Sequence, residues 1–159
     1  MIVDWIIRRA MRTPYFHLEG YMDRWWLFNG YPEGKESERR WKWLPSIRIH
    51  HILRADLGRH LHDHPWNART IILRGWYTER RREMTDYPRF LGVENRMVIE
   101  PYTRRAGQTA KLKFGEYHTI DEVSPGGVWT FFIIGKYRGE WGFLVNGKKI
   151  PHDQYWRKP

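Results

Sequence analysis

Two histidines with one residue between them, at the entrance to an apolar strand, constrain this chain more than any other feature. His62 and His64 lie in the stretch 59–75, RHLHDHPWNARTIILRG. Side chains two apart in an extended backbone leave on the same side, so one ion could contact both imidazoles while Asp63 points the other way. The apolar run Thr70–Leu73 then predicts a buried strand. The sequence therefore predicts a pair of ligands at the mouth of a strand.

A third imidazole comes from a second segment. The stretch Gly107–His118, GQTAKLKFGEYH, alternates like a strand and ends with a turn and a single histidine. Three further histidines lie near the first pair in sequence, so the pair alone is a weak indication of metal. His62, His64 and His118 together, carried by two strands, would form a facial site with open positions for water, substrate or oxygen.

These two segments resemble the paired motifs of the cupin superfamily, and the resemblance covers roughly residues 48–134. The first motif runs Gly, five residues, His-x-His, three or four residues, Glu, six residues, Gly. The second runs Gly, five residues, Pro-x-Gly, two residues, His, three residues, Asn. The matching residues are His62, His64, Gly75, Gly107, Gly115 and His118. The departures are Asp56 for the first glycine, Lys113 for the proline and Glu122 for the asparagine. The resemblance implies a jelly-roll barrel.

A narrower likeness extends over most of the chain. Its strings are Asp23–Leu27 (DRWWL), Leu61–Trp66 (LHDHPW), Ile72–Glu79 (ILRGWYTE) and the spaced pattern from Trp129 to Phe143. They are similar to a group of small cupin-like proteins of bacteria and phages. This likeness implies a fold and a metal site, and it names no substrate.

The glutamate ligand of the cupin motif would fall at Ala68 or Arg69, and neither carries a carboxylate. The resemblance thus implies one ion held by His62, His64 and His118, similar to the sites of cupin thiol dioxygenases and diketone-cleaving enzymes. Neutral imidazoles suit Fe(II), which we favour, and also Zn(II), Ni(II) or Cu(II). We therefore expect a mononuclear non-haem iron oxygenase acting on a small polar or anionic substrate.

Other functions stay open at this point. One is a sugar or sugar-phosphate isomerase or epimerase in which a histidine acts as base, and another is a non-catalytic cupin that binds a small molecule. A barrel that kept its histidines and lost the metal is a third. The net charge of +10 also allows a nucleic-acid partner. However, the arginines are dispersed and ten tryptophans are spread along the chain, which favours a core and pocket lining.

Pocket residues follow from strand order. His50 and His51 fall on the predicted strand Arg48–Arg54 and face opposite sides, so one of them faces the barrel interior. That residue is either a pocket histidine bonded to backbone or a fourth ligand. Glu79 either approaches the site or pairs with neighbouring arginines. The candidates for catalytic roles are His50, His51, Tyr77 and Tyr117, with Trp66 and Trp129 as further lining residues.

The expected architecture is all-β, a cupin-type jelly-roll barrel preceded by a short helix, Ile2–Met11, that docks on the barrel or on a second subunit. With 159 residues we expect a single domain, 1–159. Its parts would be the helix and extension at about 1–45, the barrel core at about 46–146 and a tail at 147–159. The charged segment 82–95 is a candidate lid, a candidate partner contact or a solvated insertion.

Cysteine is absent, so histidine and carboxylate are the only strong metal ligands available. No apolar run approaches the roughly 20 residues of a membrane helix, and the amino terminus lacks the pattern of a secretory signal. We therefore expect a cytoplasmic protein with no membrane partner. The expected partners are a small-molecule substrate and, as a further alternative, a second copy in a homodimer.

Overall fold

A five-stranded antiparallel sheet forms one wall of the structure, in the order β1-β2-β8-β3-β6. The computed structural model describes residues 1–32, 34–58, 60–82 and 101–157. Its first wall consists of β1 Met22–Phe28, β2 Ser46–Ile52, β3 Trp66–Arg74, β6 Thr109–Leu112 and β8 Val128–Tyr137. Residues 83–95 of the charged segment 82–95 lie outside the described residues.

The second wall faces the first. It contains a three-stranded sheet in the order β5-β4-β7 and a two-stranded hairpin β10-β9. Its strands are β4 Trp76–Arg81, β5 Pro101–Arg105, β7 His118–Val123, β9 Gly142–Val145 and β10 Lys148–Pro151. His62 forms antiparallel bridges to His118 on one side and to Phe143 on the other. This single residue therefore joins the three-stranded sheet to the hairpin.

Alternating burial decides which side chains face the space between the two walls. On β8, Val128, Thr130, Phe132 and Ile134 are buried and face inward, while the residues between them are partly exposed. One end of the interior is filled by an apolar cluster that contains Ile72 and Tyr77. The opposite end contains aromatic side chains, so the two ends of the barrel differ in chemistry.

The helix α1, Ile2–Ala10, packs on the outer face of the five-stranded sheet. Ile7 and Ala10 are buried there against Trp25 and Ile49. Arg8 and Arg9 lie in its last turn, where cations interact favourably with the helix dipole. Docking on the barrel, one of the two uses expected for this helix, is what the structure shows.

Gly75 makes the corner between β3 and β4. Its φ of +79° is strained for any residue with a Cβ, and a Cβ there would lie 2.4 Å from Ser124 Oγ and 2.8 Å from Gly127 O. The glycine of the first motif therefore allows the backbone of β3–β4 to approach the loop before β8.

The all-β jelly-roll class with a short amino-terminal helix is confirmed. The sequence did not predict the strands β7 and β10 or the one-turn helix α2, His152–Tyr155, near the end of the chain. A short 3-10 helix, Glu36–Glu38, lies in the loop before β2. Within the described residues, no helix is long and apolar enough to cross a membrane.

Candidate metal centre

His62 and His118 are direct cross-strand partners. Each donates its backbone N–H to the carbonyl of the other, at 2.9 Å in both directions. Opposed residues of an antiparallel pair project their side chains to the same face, so the two imidazoles meet, with ring centroids 4.7 Å apart. Residues 56 positions apart in sequence are thus brought together by backbone pairing.

His64 completes the group from two residues further on. Its Nε2 lies 2.8 Å from Nε2 of His118, and its ring centroid lies 5.0 Å from those of both His62 and His118. The ring of Trp66 stacks on His64 at 4.6 Å, with only 8° between the planes, and this contact limits rotation of the imidazole. One ligand atom from each histidine falls within 4.8 Å of the others.

Burial favours the neutral form of two of these imidazoles, those of His62 and His64. Burial lowers the pKa of His62 to about 4; the charge of His118 lowers it further, whereas the charge of Asp56 acts to raise it. Burial, followed by the charges of His118 and His62, also holds the pKa of His64 well below its usual value. Neutral imidazoles carry the lone pairs that a metal ion needs.

The geometry also fits an ion. Two nitrogens that each lie about 2.1 Å from one ion, at a right angle, are separated by about 3 Å. The Nε2 atoms of His64 and His118 are 2.8 Å apart, which is close to that value. Both the distances and the chemistry of these residues therefore suit a divalent cation held by His62, His64 and His118.

Glu79 lies behind His118. Its Oε2 is 3.5 Å from Nδ1 of His118. Its carboxylate also accepts hydrogen bonds from Arg104 Nε and, at 3.1 Å, from Arg81 Nη2. Burial alone would raise the pKa of Glu79, but the contact with His118 and the charge of Arg81 lower it to about 2. An ionised carboxylate facing Nδ1 favours the tautomer of His118 with its proton on Nδ1, which leaves the Nε2 lone pair for metal.

Asp56 has a related position behind His62, with Oδ2 3.8 Å from Nδ1 of the imidazole. Its carboxylate is held by the backbone N–H of Ile120 at 2.7 Å and by the hydroxyl groups of Tyr21 and Thr119. The residue that departs from the cupin motif at its first glycine thus adds a negative charge beside the candidate ligand His62.

Asp63 turns away from the three histidines, as strand geometry predicts. The residue is 1% exposed, and its carboxylate accepts hydrogen bonds from Gly142 N and Lys149 Nζ, both at 2.7 Å. The carboxylate between the two histidines therefore anchors the β9–β10 hairpin.

His50 and His51 face opposite sides of β2, as expected. His50 is the inward residue; it is buried against Phe132 at 4.7 Å, and it is near enough to His64 to influence its pKa. His51 lies on the outer face, where it stacks on Trp129 at 4.1 Å and contacts Gly126 O. The structure therefore does not bring His51 or Trp129 to the histidine group.

Tyr77 and Tyr117 are also placed away from the ligand atoms. Tyr77 faces inward but lies in the apolar cluster with Ile72, and burial raises its pKa. Tyr117 precedes His118 and points to the other face, where burial and then the charge of Asp63 raise its pKa. Trp66 is the one aromatic candidate that contacts a ligand histidine, because alternation along β3 turns it inward.

Sequence reasoning missed Asp56 as a neighbour of the site, although it had noticed the departure from glycine there. It treated the two roles of Glu79 as alternatives, whereas the structure combines them: Glu79 pairs with arginines and lies against His118. The signal available was the period-two pattern that puts Tyr77 and Glu79 on one inward face of β4.

No protein-family model matches the sequence, and no curated protein matches it. Several solved structures are similar to the fold. Against the Mn(II)-containing oxalate decarboxylase of Bacillus subtilis the TM-score is 0.56 at 10% identity, over 86% of this chain and 31% of that one. Against the Fe(II) form of HppE the TM-score is 0.53 at 8% identity, and the match covers 79% of this chain and 57% of that one. Against a mannose-6-phosphate isomerase-like protein of Ralstonia eutropha JMP134 the TM-score is 0.50 at 10% identity, and the match covers 77% of this chain and 91% of that one.

These similar structures are cupin-fold proteins, and the chain described here has the same fold. It spans less than two thirds of the HppE chain and about a third of the oxalate decarboxylase chain. Two of the three are named with a metal, Fe(II) in one and Mn(II) in the other. The narrower resemblance to small bacterial and phage proteins is not tested by these structures and stays a prediction.

Proposed function

We propose that this chain is a metal-dependent cupin enzyme in which His62, His64 and His118 hold one Fe(II) ion, and that it oxidises a small polar or anionic substrate with oxygen. The observation that carries the proposal is the convergence of three imidazoles whose ligand atoms lie within 4.8 Å of one another. Such a facial set leaves several coordination positions open, which is typical of a reactive site.

The chain's own residues would prepare the ion for an anionic substrate. Three imidazoles contribute no charge, so the ion keeps its full positive charge and attracts a ligand that neutralises it. Glu79 and Asp56 stay outside the ligand set, with carboxylate oxygens 3.5 Å and 3.8 Å from Nδ1 of His118 and His62. When bound, Fe(II) would supply the redox chemistry that allows oxygen to react with the substrate.

Metal analysis of protein prepared without a histidine tag is the first experiment. We expect about one ion per chain after reconstitution with Fe(II) under anaerobic conditions, and much less in His64→Ala and His118→Ala. His17→Ala is the matched control, because His17 lies on the outer side with its ring against Trp25. Equal metal content in all four proteins would contradict the proposal.

Oxygen consumption is the second experiment. Thiols, diketones and sugar phosphates are added in turn to the Fe(II) protein, and we expect one class to raise the rate of oxygen uptake. The rate should fall to background in His64→Ala. Turnover of a substrate at the same rate without oxygen would refute the oxygenase proposal.

That last outcome would favour the second candidate, an isomerase or epimerase acting on a sugar or sugar phosphate. His50 is the observation in its favour, because burial and the charge of Arg48 keep its pKa well below the usual value and leave a neutral imidazole that can act as base. The similarity to the mannose-6-phosphate isomerase-like protein agrees with this candidate. A binding cupin without catalysis would show affinity for such ligands and no turnover.

Three other expectations stay predictions: a cytoplasmic location, a homodimer and an affinity for nucleic acid. If charge alone drives nucleic-acid binding, the affinity should fall steeply with salt and survive the His62→Ala substitution.

A further inference from the structure

Three polar atoms on the inner face of the five-stranded sheet are buried without a hydrogen-bond partner: Arg48 Nε, His50 Nε2 and Thr130 Oγ1. The exposed fractions of the three residues are 6%, 6% and 1%. A buried polar group without a partner destabilises a fold by about 1–3 kcal/mol relative to one that is bonded. Three of them on one face indicate that something else supplies the missing partners.

The three residues are neighbours. His50 and Thr130 are cross-strand partners on β2 and β8. Arg48 occupies the neighbouring inward position of β2, opposite Phe132. Inward positions of a strand are about 7 Å apart. The unpartnered groups therefore form a short row along the barrel interior.

Aromatic rings connect this row to the histidines. Phe132 contacts His50 at 4.7 Å and Trp66 at 5.4 Å, and Trp66 stacks on His64 at 4.6 Å. Phe132 and Trp66 also belong to one hydrophobic cluster, so aromatic side chains link the row to the three histidines, while Thr130 at the other end of the row lies opposite Ile72.

Arg48 contributes a buried positive charge. Its guanidinium carbon lies 4.4 Å, 4.3 Å and 5.6 Å from the ring centroids of Tyr15, Trp26 and Tyr31, and Nη2 donates to Tyr31 Oη at 3.3 Å. Among the described residues no carboxylate forms an ion pair with it. Aromatic faces offset part of the desolvation of a cation, and an oxyanion would offset much more.

We propose that Arg48, His50 and Thr130 form the substrate-recognition row of the metal pocket. The row takes a small oxyanion that bears a second oxygen: Arg48 binds the charged group, and His50 and Thr130 bond to the hydroxyl or carbonyl oxygen. This inference rests on the proposed function, because the far end of the ligand would meet the ion. It identifies the arginine and restricts the substrate to small carboxylates or phosphates with an adjacent oxygen.

The test uses glycolate as the probe and glycolamide as its uncharged match, with calorimetric titration of the metal-loaded full chain. A charge-assisted hydrogen bond predicts that glycolate binds about tenfold more tightly, or better, than glycolamide. Inorganic phosphate and phosphoglycolate form a second arm, which distinguishes a carboxylate site from a phosphate site. Equal affinity for glycolate and glycolamide, together with no binding in the phosphate arm, would overturn the proposal.

Variants separate recognition from simple attraction to the ion. Arg48→Gln should lose the preference for glycolate and keep the wild-type metal content, whereas Arg69→Gln, on the outer face of β3, should change neither. Thr130→Val keeps the volume of the side chain and removes an unpartnered hydroxyl. We expect it to weaken glycolate binding several-fold without lowering the melting temperature.

If Arg48→Gln does not fold, Thr130→Val decides the matter, and unchanged glycolate affinity in that variant refutes the proposal. Failure of the proposed function has a different signature. If the wild-type chain binds no metal but still prefers glycolate through Arg48, the recognition row is supported and the metal site is refuted. If the chain binds metal but shows no Arg48-dependent preference, the metal site is supported and the recognition row is refuted.

Discussion

The buried carboxylate of Glu79 lies between the candidate ligand His118 and two guanidinium groups. Its removal therefore tests whether a group outside the ligand set affects metal binding. In Glu79→Gln the side chain keeps its size and loses its charge. His118 Nδ1 then faces an amide 3.5 Å away in place of a carboxylate, and Arg81 and Arg104 lose a shared partner that is 1% exposed. We expect both metal affinity and stability to fall.

The two losses have different sizes. Carboxylates that orient a metal-binding histidine typically change affinity by about 10- to 100-fold. Removing one member of a buried ion pair typically lowers the free energy of unfolding by about 3–5 kcal/mol, because the partners keep their charge without compensation. The effect on affinity is measured by competition with a chromophoric chelator for Co(II) or Zn(II), at a temperature where the variant is folded. Urea denaturation of metal-free protein gives the second number.

Asp121→Asn is the control for that experiment. Asp121 lies on β7 close to His118 in sequence and forms a two-point pair with Arg80 at 2.7 Å, but this pair is exposed and should contribute less than about 1 kcal/mol. The reasoning is refuted if Glu79→Gln binds metal as tightly as the wild type while its stability falls. Glu79 would then support the fold and have no effect on the imidazole.

Three further substitutions test the scaffold. Gly75→Ala should lower the free energy of unfolding by at least about 2 kcal/mol, because a Cβ at φ +79° would lie 2.4 Å from a hydroxyl oxygen. A melting temperature within about 1 °C of the wild-type value would contradict the corner described here. Ile7→Ala should lower the free energy of unfolding, measured by urea denaturation, by about 2–4 kcal/mol. Trp5→Ser, at an exposed position of the same helix, should change it by less than about 0.5 kcal/mol. Asp63→Asn removes the negative charge that pairs with Lys149 and should destabilise the carboxy-terminal hairpin by about 1–3 kcal/mol, while metal content stays at the wild-type level. Loss of metal from the folded variant would show that Asp63 acts on the site.

Local rules predicted the elements whose signals are short in range. Gly75 marks the start of the strand Trp76–Arg81, and alternating burial continues to its end, so local signals are enough to place this strand. They do not determine its neighbours, which are β5 and β7. Asn146 and Gly147 form a typical turn dipeptide, and both residues have positive φ, 49° and 75°. The return strand Lys148–Pro151 was missed because two lysines and a proline in four residues carry no hydrophobic pattern.

The three histidines show where sequence is sufficient. Period two in an extended chain puts His62 and His64 on one side and Asp63 on the other, and this depends only on backbone geometry. The same rule showed that one of His50 and His51 faces inward. It could not say which, because the choice depends on which face of β2 the opposite wall covers.

Everything that surrounds the histidines was decided by long-range pairing. The bridge between His62 and His118 sets the two imidazoles side by side, and the pairing of β4 with β7 puts Glu79 behind one of them. Arg48 meets Trp26 and Tyr31 only after β1 pairs with β2 and the loop that follows β1 folds back over it. Sequence determines which side of a strand a residue occupies, because that follows from covalent geometry. Tertiary structure determines what lies opposite, because neighbouring strands are chosen by the burial of the whole chain.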